Sequence, residues 1–225
     1  MAWNSLWEDI FQSKPWGKYP SEDLIRFIAR NFYNVENRSN IKILEVGSGT
    51  GSNIWYLANE GFSVYGIEGS KTGVQITQER LMQDKNIDEK KTKVFVGDME
   101  KLPFEEGYFD AVIDIEAIST NNWKDSLEIL AEIERVLKPN GKFYSRHFAE
   151  DSQGDKAGEL VDRHMFVSTE GVLANIGPTR FATKQDVFEL YGESFNINSL
   201  GKIIRETENE KQSVIEWTIS MAKKG

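Results

Sequence analysis

The chain has 225 residues, 39% of them hydrophobic and 28% charged, the size and make-up of one globular α/β domain with additions. Its net charge of -9 leaves no sign of the basic face by which proteins hold phosphate backbones, so a nucleic-acid partner is not expected. It has no cysteine, which excludes disulfides, thiolate nucleophiles and cysteine-bound zinc. No apolar run approaches the roughly 18 residues of a membrane span, and no metal is expected.

The first twenty residues carry Glu8 and Asp9 and no apolar core, so they do not read as a signal peptide; a cytoplasmic setting is expected. They are aromatic instead: Trp3, Trp7, Phe11, Trp16 and Tyr19. This segment reads either as a lid in which Trp16 and Tyr19 close a pocket, or as a staple that packs the next helix onto a sheet. That helix spans Glu22–Phe32, with Ser21 as its cap and Leu24, Phe27, Ile28 and Phe32 as its apolar face.

"KILEV" is a short buried strand, and "SNIWYLANEG" the helix after it, with Gly61 suited to a left-handed stop. "SVYGIE" is a second strand, "SKTGVQITQERLMQD" a helix, "KVFVGD" a third strand and "FDAVIDIEAIS" a fourth. The run "DEKK" at 88–91 reads as a solvated connection. "WKDSLEILAEIERVL" is an amphipathic helix ended by Pro139 and Gly141, and "GKFYSRHF" a fifth strand. Alternating helices and strands argue for a parallel sheet covered on both faces. Residues 150–182 are glycine-rich and polar, with no long element expected. "TKQDVFELYGESF" is a helix. "INSLGKIIRET" and "SVIEWTISMAK" flank "ENEKQ" as an antiparallel hairpin, with Ile215, Trp217, Ile219 and Met221 on one face.

The chemistry is carried by the turn after the first strand. Gly47, Gly49 and Gly51 alternate where an apolar strand stops and a helix starts, an arrangement that lets backbone approach a ligand and presents free N–H groups to it. No lysine follows as in a P-loop, and Ser52 stands where a dinucleotide fingerprint has its third glycine. Glu68 ends the second strand, 21 residues after Gly47, where a carboxylate can hold a ribose diol. Asp98 ends the third strand, ahead of "LPF" and "FDAVID".

With these residues the chain resembles the class I S-adenosylmethionine-dependent methyltransferases. The resemblance rests on "ILEVGSGTGSN", "VYGIEGS", "GDMEKLPFEEGYFDAVI" and "EIERVLKPNGKFYSR", in order, over residues 41–148. It implies a doubly wound, seven-stranded, mostly parallel sheet closed by the C-terminal hairpin at 199–222. It implies S-adenosylmethionine as cofactor, with Glu45 and the three glycines near its methionine part, Glu68 at the ribose and Asp98 and Met99 at the adenine. Gly69 and Ser70 would shape the adenosine pocket, and Ile115, Glu116 and Ala117 would line the reacting end. His147 and Glu116 are the candidate bases, with His164 behind them. Residues 150–182 would wall the acceptor, with Arg163, Arg180 and Phe181 in contact with it. The expected organisation is one domain: an N-terminal lid and helix (1–35), the cofactor core (41–148), the insertion (150–182) and the hairpin. The expected reaction is methyl transfer to an oxygen or nitrogen of a small molecule by a monomer or homodimer. The alternatives are a methyltransferase of protein or RNA, an NAD-dependent oxidoreductase, and a non-catalytic cofactor-binding relative.

Overall fold

The computed structural model describes residues 4–88, 90–174, 176–207 and 212–225; Trp3 and most of the "ENEKQ" link lie outside them. The elements in order are α1 (Leu6–Ser13), α2 (Glu22–Phe32), β1 (Lys42–Val46), α3 (Ser52–Asn59), β2 (Ser63–Glu68), α4 (Lys71–Met82), β3 (Thr92–Val96), β4 (Phe109–Ile115), α5 (Trp123–Val136) and β5 (Leu137–Phe148). There follow β6 (Gly158–Asp162), β7 (Met165–Ser168), β8 (Pro178–Arg180), α6 (Lys184–Tyr191), β9 (Phe195–Thr207) and β10 (Gln212–Lys223).

Seven strands form one sheet in the order β3-β2-β1-β4-β5-β10-β9. The first five are parallel, and β10 runs antiparallel between β5 and β9. Buried apolar runs such as Ile43–Leu44 and Val112–Ile113 suit strands covered on both faces. One face packs Leu44, Val112, Phe143 and Ile219 against Ile129 and Ile133 of α5 and Val187 and Leu190 of α6. The other packs Ile43, Val64, Ile113 and Tyr144 against Leu24, Phe27 and Ile28 of α2 and Ile54 and Leu57 of α3. Trp217, Ile219 and Met221 share the first face, as their alternation predicts.

Four expectations change. Ser21 occupies the N-cap of α2 without a side-chain capping bond, and its buried hydroxyl has no partner. Helix α5 runs directly into β5. Residues Lys138–Gly141 loop out within that strand, so that Phe109 faces Leu137 and Ala111 already faces Lys142. The aromatic N-terminal segment contains a helix, α1. Residues 150–182 hold a separate antiparallel sheet, β6-β7-β8, rather than irregular chain. Among the described residues no helix is long and apolar enough to cross a membrane.

Candidate active site

A cavity of about 460 Å³ opens along the carboxyl ends of the strands, where an open α/β sheet binds its ligands. Its lining follows the strand order: Asp98 and Met99 after β3, Glu68 and Gly69 at β2, Gly47 to Thr50 after β1, Ile115 to Ala117 at β4, Arg146 on β5 and Arg205 on β9. Trp7, Phe11, Trp16 and Tyr19 close it from the N-terminal side.

Gly47 is bare because its neighbours leave no room. Gly47 has φ +63°, and a Cβ on it would lie 2.3 Å from the Cβ of Ala117. Gly49 lines the cavity under Phe11, and its N–H donates to the Glu68 carboxylate at 2.7 Å. The other Glu68 oxygen accepts the Ser70 N–H at 2.8 Å. Burial raises the Glu68 pKa against those bonds. Glu45 is buried with one oxygen bonded by Asn53 at 2.5 Å and the other without a partner. Burial, with Glu68 and Asp114 nearby, pushes it up to about 8 despite the Asn53 bond, so it is neutral at pH 7.

Three expected site residues do not reach the cavity. Gly51 caps α3 in the left-handed region, and a side chain there would strike Thr77 of α4 at 2.3 Å; its bareness serves helix packing. Ser70 is the N-cap of α4, its hydroxyl accepting the Gly73 N–H at 2.9 Å. His147 is fully buried and is not among the lining residues. The pleat turns it with Ser145 away from the side that Arg146 shares. Its Nδ1 lies 3.1 Å from the Phe148 carbonyl, and burial lowers its pKa to about 4.

The small sheet also stays outside. Arg180 is fully buried and bonds the carbonyls of Asn121 and Arg163 at 2.8 and 2.7 Å. Arg163 pairs with Asp186 and Glu189, His164 donates through Nδ1 to Asp186, and Phe181 packs on Phe148. None of the described residues in 150–182 lines the cavity.

Arg146 takes the wall that those residues were expected to supply, beside Glu116, which does reach the cavity. Glu116 directly follows β4 with φ +67°, a left-handed conformation uncommon for a side-chain-bearing residue. Asp114 holds that turn by accepting the N–H groups of Ala117 and Ile118, each at 3.0 Å. Arg146 meets Glu116 Oε1 through Nε at 3.1 Å and through Nη2. Behind it, Nε lies 3.0 Å from Glu216 and Nη1 3.6 Å from Asp23. Arg205 bonds the far oxygen of Glu216 at 2.5 Å. Burial pushes the Glu116 carboxyl up, but the Arg146 charge outweighs it and holds the group below its usual value. Burial beside Glu116 pushes Glu216 up to about 8.

The N-terminal segment is latched by Glu8. Its carboxylate accepts from the hydroxyls of Ser70 and Thr72 at the start of α4, which holds its pKa down at about 2. Trp7, Phe11 and Trp16 form one ring cluster, and Tyr19 packs on Trp55.

Residues 44–145 match the family model described as a methyltransferase domain. The chain is 22% identical over 221 residues to the tRNA N(3)-methylcytidine methyltransferase of Schizosaccharomyces pombe, covering 92% of this chain and 69% of that protein. It is 28% identical over 164 residues to a ubiquinone/menaquinone biosynthesis C-methyltransferase of Paraburkholderia phymatum, covering 72% and 62%. A crystal structure of a SAM-dependent methyltransferase from Methanosarcina mazei superposes with a TM-score of 0.73 at 18% identity, covering 92% of this chain and 99% of that one.

Proposed function

We propose that this chain is a class I S-adenosylmethionine-dependent methyltransferase that methylates an oxygen or nitrogen of a small molecule seated between Glu116 and the aromatic N-terminal segment. The observation that carries this reading is the order of the cavity wall: a bare glycine loop and acidic strand ends on one side, and a charged side-chain wall on the other.

The first part fits the cofactor. A Cβ at Gly49 would stand in the space under Phe11, so the loop is shaped for a ligand that lies on its backbone. Glu68 would hold the ribose hydroxyls, Asp98 and Met99 the adenine, and Gly47, Gly49 and the neutral Glu45 the methionine part. When bound, S-adenosylmethionine supplies a methyl group on a sulfonium, already an electrophile. The chain then has to align the acceptor, exclude water and take a proton. Glu116 is the group placed for the proton. Trp7, Trp16 and Tyr19 offer flat apolar surface to the acceptor and cover the cavity. His147 has no path to it.

A small acceptor is favoured by the charge of the lining. Glu68, Asp98 and Glu116 face the cavity, and its two arginines are both paired with carboxylates, which suits a phosphate backbone poorly. The cysteine-free chain fits a cytoplasmic setting. The test is a panel of hydroxylated and amino metabolites, beside total tRNA, incubated with methyl-labelled S-adenosylmethionine and read by mass spectrometry. Label on an oxygen or nitrogen of a small molecule supports the reading. Label only on tRNA, or only on carbon, overturns the acceptor or the acceptor atom respectively.

A further inference from the structure

We propose that Arg146 is a positioning residue: braced by Glu216 and Asp23, it holds the Glu116 carboxylate at the cavity wall as a fixed hydrogen-bond acceptor, so the methyl acceptor is one that meets it with an O–H or N–H. The proposal rests on the methyltransferase reading for its purpose and on side-chain geometry for its substance.

Arg146 is 7% exposed and meets residues in or next to three other elements. Its planar guanidinium bonds Glu116 after β4 through two nitrogens and faces Glu216 from β10 and Asp23 from α2. A guanidinium presents donors in a rigid fork, so fixing it from behind fixes the carboxylate in front. The brace is itself fixed. Glu216 is fully buried and tied on its other oxygen by Arg205 of β9, and Asp23 accepts the Tyr144 hydroxyl at 2.6 Å. Glu116 is the carboxylate of this group that lines the cavity, its side chain 30% exposed. Asp114, the remaining nearby acid, is occupied with backbone N–H groups and the Ser145 hydroxyl.

The charges around Glu116 decide what it can receive. Three carboxylates surround Arg146, and Arg205 is paired with one of them. An anionic acceptor group would meet the Glu116 carboxylate head-on, with Nε and Nη2 of Arg146 already committed to that carboxylate. A hydroxyl or N–H donor meets an oriented lone pair and can pass its proton to Glu116, leaving a neutral carboxyl and an electron pair on the acceptor atom.

The proposal is tested by titrating carboxyl-labelled glutamates by NMR in the full chain, with Glu116 assigned through Glu116→Gln. In the wild type the Glu116 midpoint should lie below the usual value. In Arg146→Gln it should rise by about one pH unit or more. Arg146→Lys keeps a charge but not the fork, should give a smaller rise, and decides the matter if the Gln variant does not fold. A midpoint unmoved in every folded variant overturns the role of Arg146. The acceptor chemistry is read on the protein loaded with S-adenosylhomocysteine, with phenol and benzoate as probes in saturation-transfer NMR. Phenol contact that is lost in Glu116→Gln supports it. Preference for benzoate, phenol contact that ignores Glu116→Gln, or no phenol contact overturns it. Neither measurement needs methyl transfer, so a silent acceptor panel would count against the enzyme reading alone.

Discussion

The two ends of the cavity are built differently. The end under β1, β2 and β3 is made of backbone and of residues within a few positions of a strand terminus: Gly47, Gly49, Glu68, Gly69, Asp98 and Met99. The end under β4, β5 and β9 is made of long charged side chains from α2, β4, β5, β9 and β10 that meet only when the sheet is complete. A local motif can specify the first. The second depends on strand register, and a slip of one residue in β10 would put Trp217 where Glu216 now stands.

Four measurements would break or sharpen that contrast. The largest effect is expected at the charged end: Arg146→Met removes the buried cation that Glu116 and Asp23 share and should cost about 3–5 kcal/mol in urea unfolding. A loss below about 1 kcal/mol would show the cluster to be dispensable to the fold. At the backbone end, Gly47→Ala forces a side chain into the left-handed region and against Ala117. It should cost about 2–3 kcal/mol in stability, with S-adenosylhomocysteine affinity in calorimetry falling at least tenfold, on the order of the strain and overpacking combined.

The third concerns pH. Glu45 keeps its proton in the folded chain to about 8, against 4.5 for an ordinary glutamate. A folded value raised in this way favours folding below pH 4.5, and that contribution is lost as pH climbs from 4.5 to 8. Glu45→Gln should therefore melt increasingly above the wild type between pH 5 and 8.5. The slope is reduced rather than removed, because Glu216 has a raised value near 8 as well. The smallest effect is expected at the latch: Glu8→Gln should destabilise by about 1 kcal/mol and speed release of S-adenosylhomocysteine in stopped-flow tryptophan fluorescence. An unchanged release rate would separate the N-terminal segment from the cavity.

The same contrast explains what the amino-acid sequence discloses. The strands "KILEV" and "SVYGIE" and the helix Glu22–Phe32 appear with the bounds that their patterns predict, because apolar run, cap and glycine agree there. The glycine loop and Glu68 are legible for the same reason. His147 and Arg146 show the limit. Imidazole chemistry draws attention to His147, but neighbours on a strand face opposite sides, and Arg146 has the cavity. A signal was present: the alternation that places Ile215, Trp217 and Ile219 on the core face leaves Glu216 on the other, beside β5. Helix α1 hides among aromatic residues, although Trp7 and Phe11 stand one helical turn apart and share a ring cluster. The small sheet is illegible because its strands are three to five residues long, with a register shift, too short to display a period.

The place of β10 between β5 and β9 also orders events in time. A chain made from its amino end releases β1 to β5 first, and with them every residue of the glycine loop, Glu68 and Asp98. Arg146 then has Glu116 and Asp23 but no Glu216, which leaves the ribosome long afterwards, and the pairing that seats it spans a large loop of intervening sequence. During synthesis the glycine-loop end of the cavity is thus complete before the charged end. A nascent chain can carry the whole glycine loop and the acidic strand ends while Arg146 still lacks one of its three carboxylate neighbours.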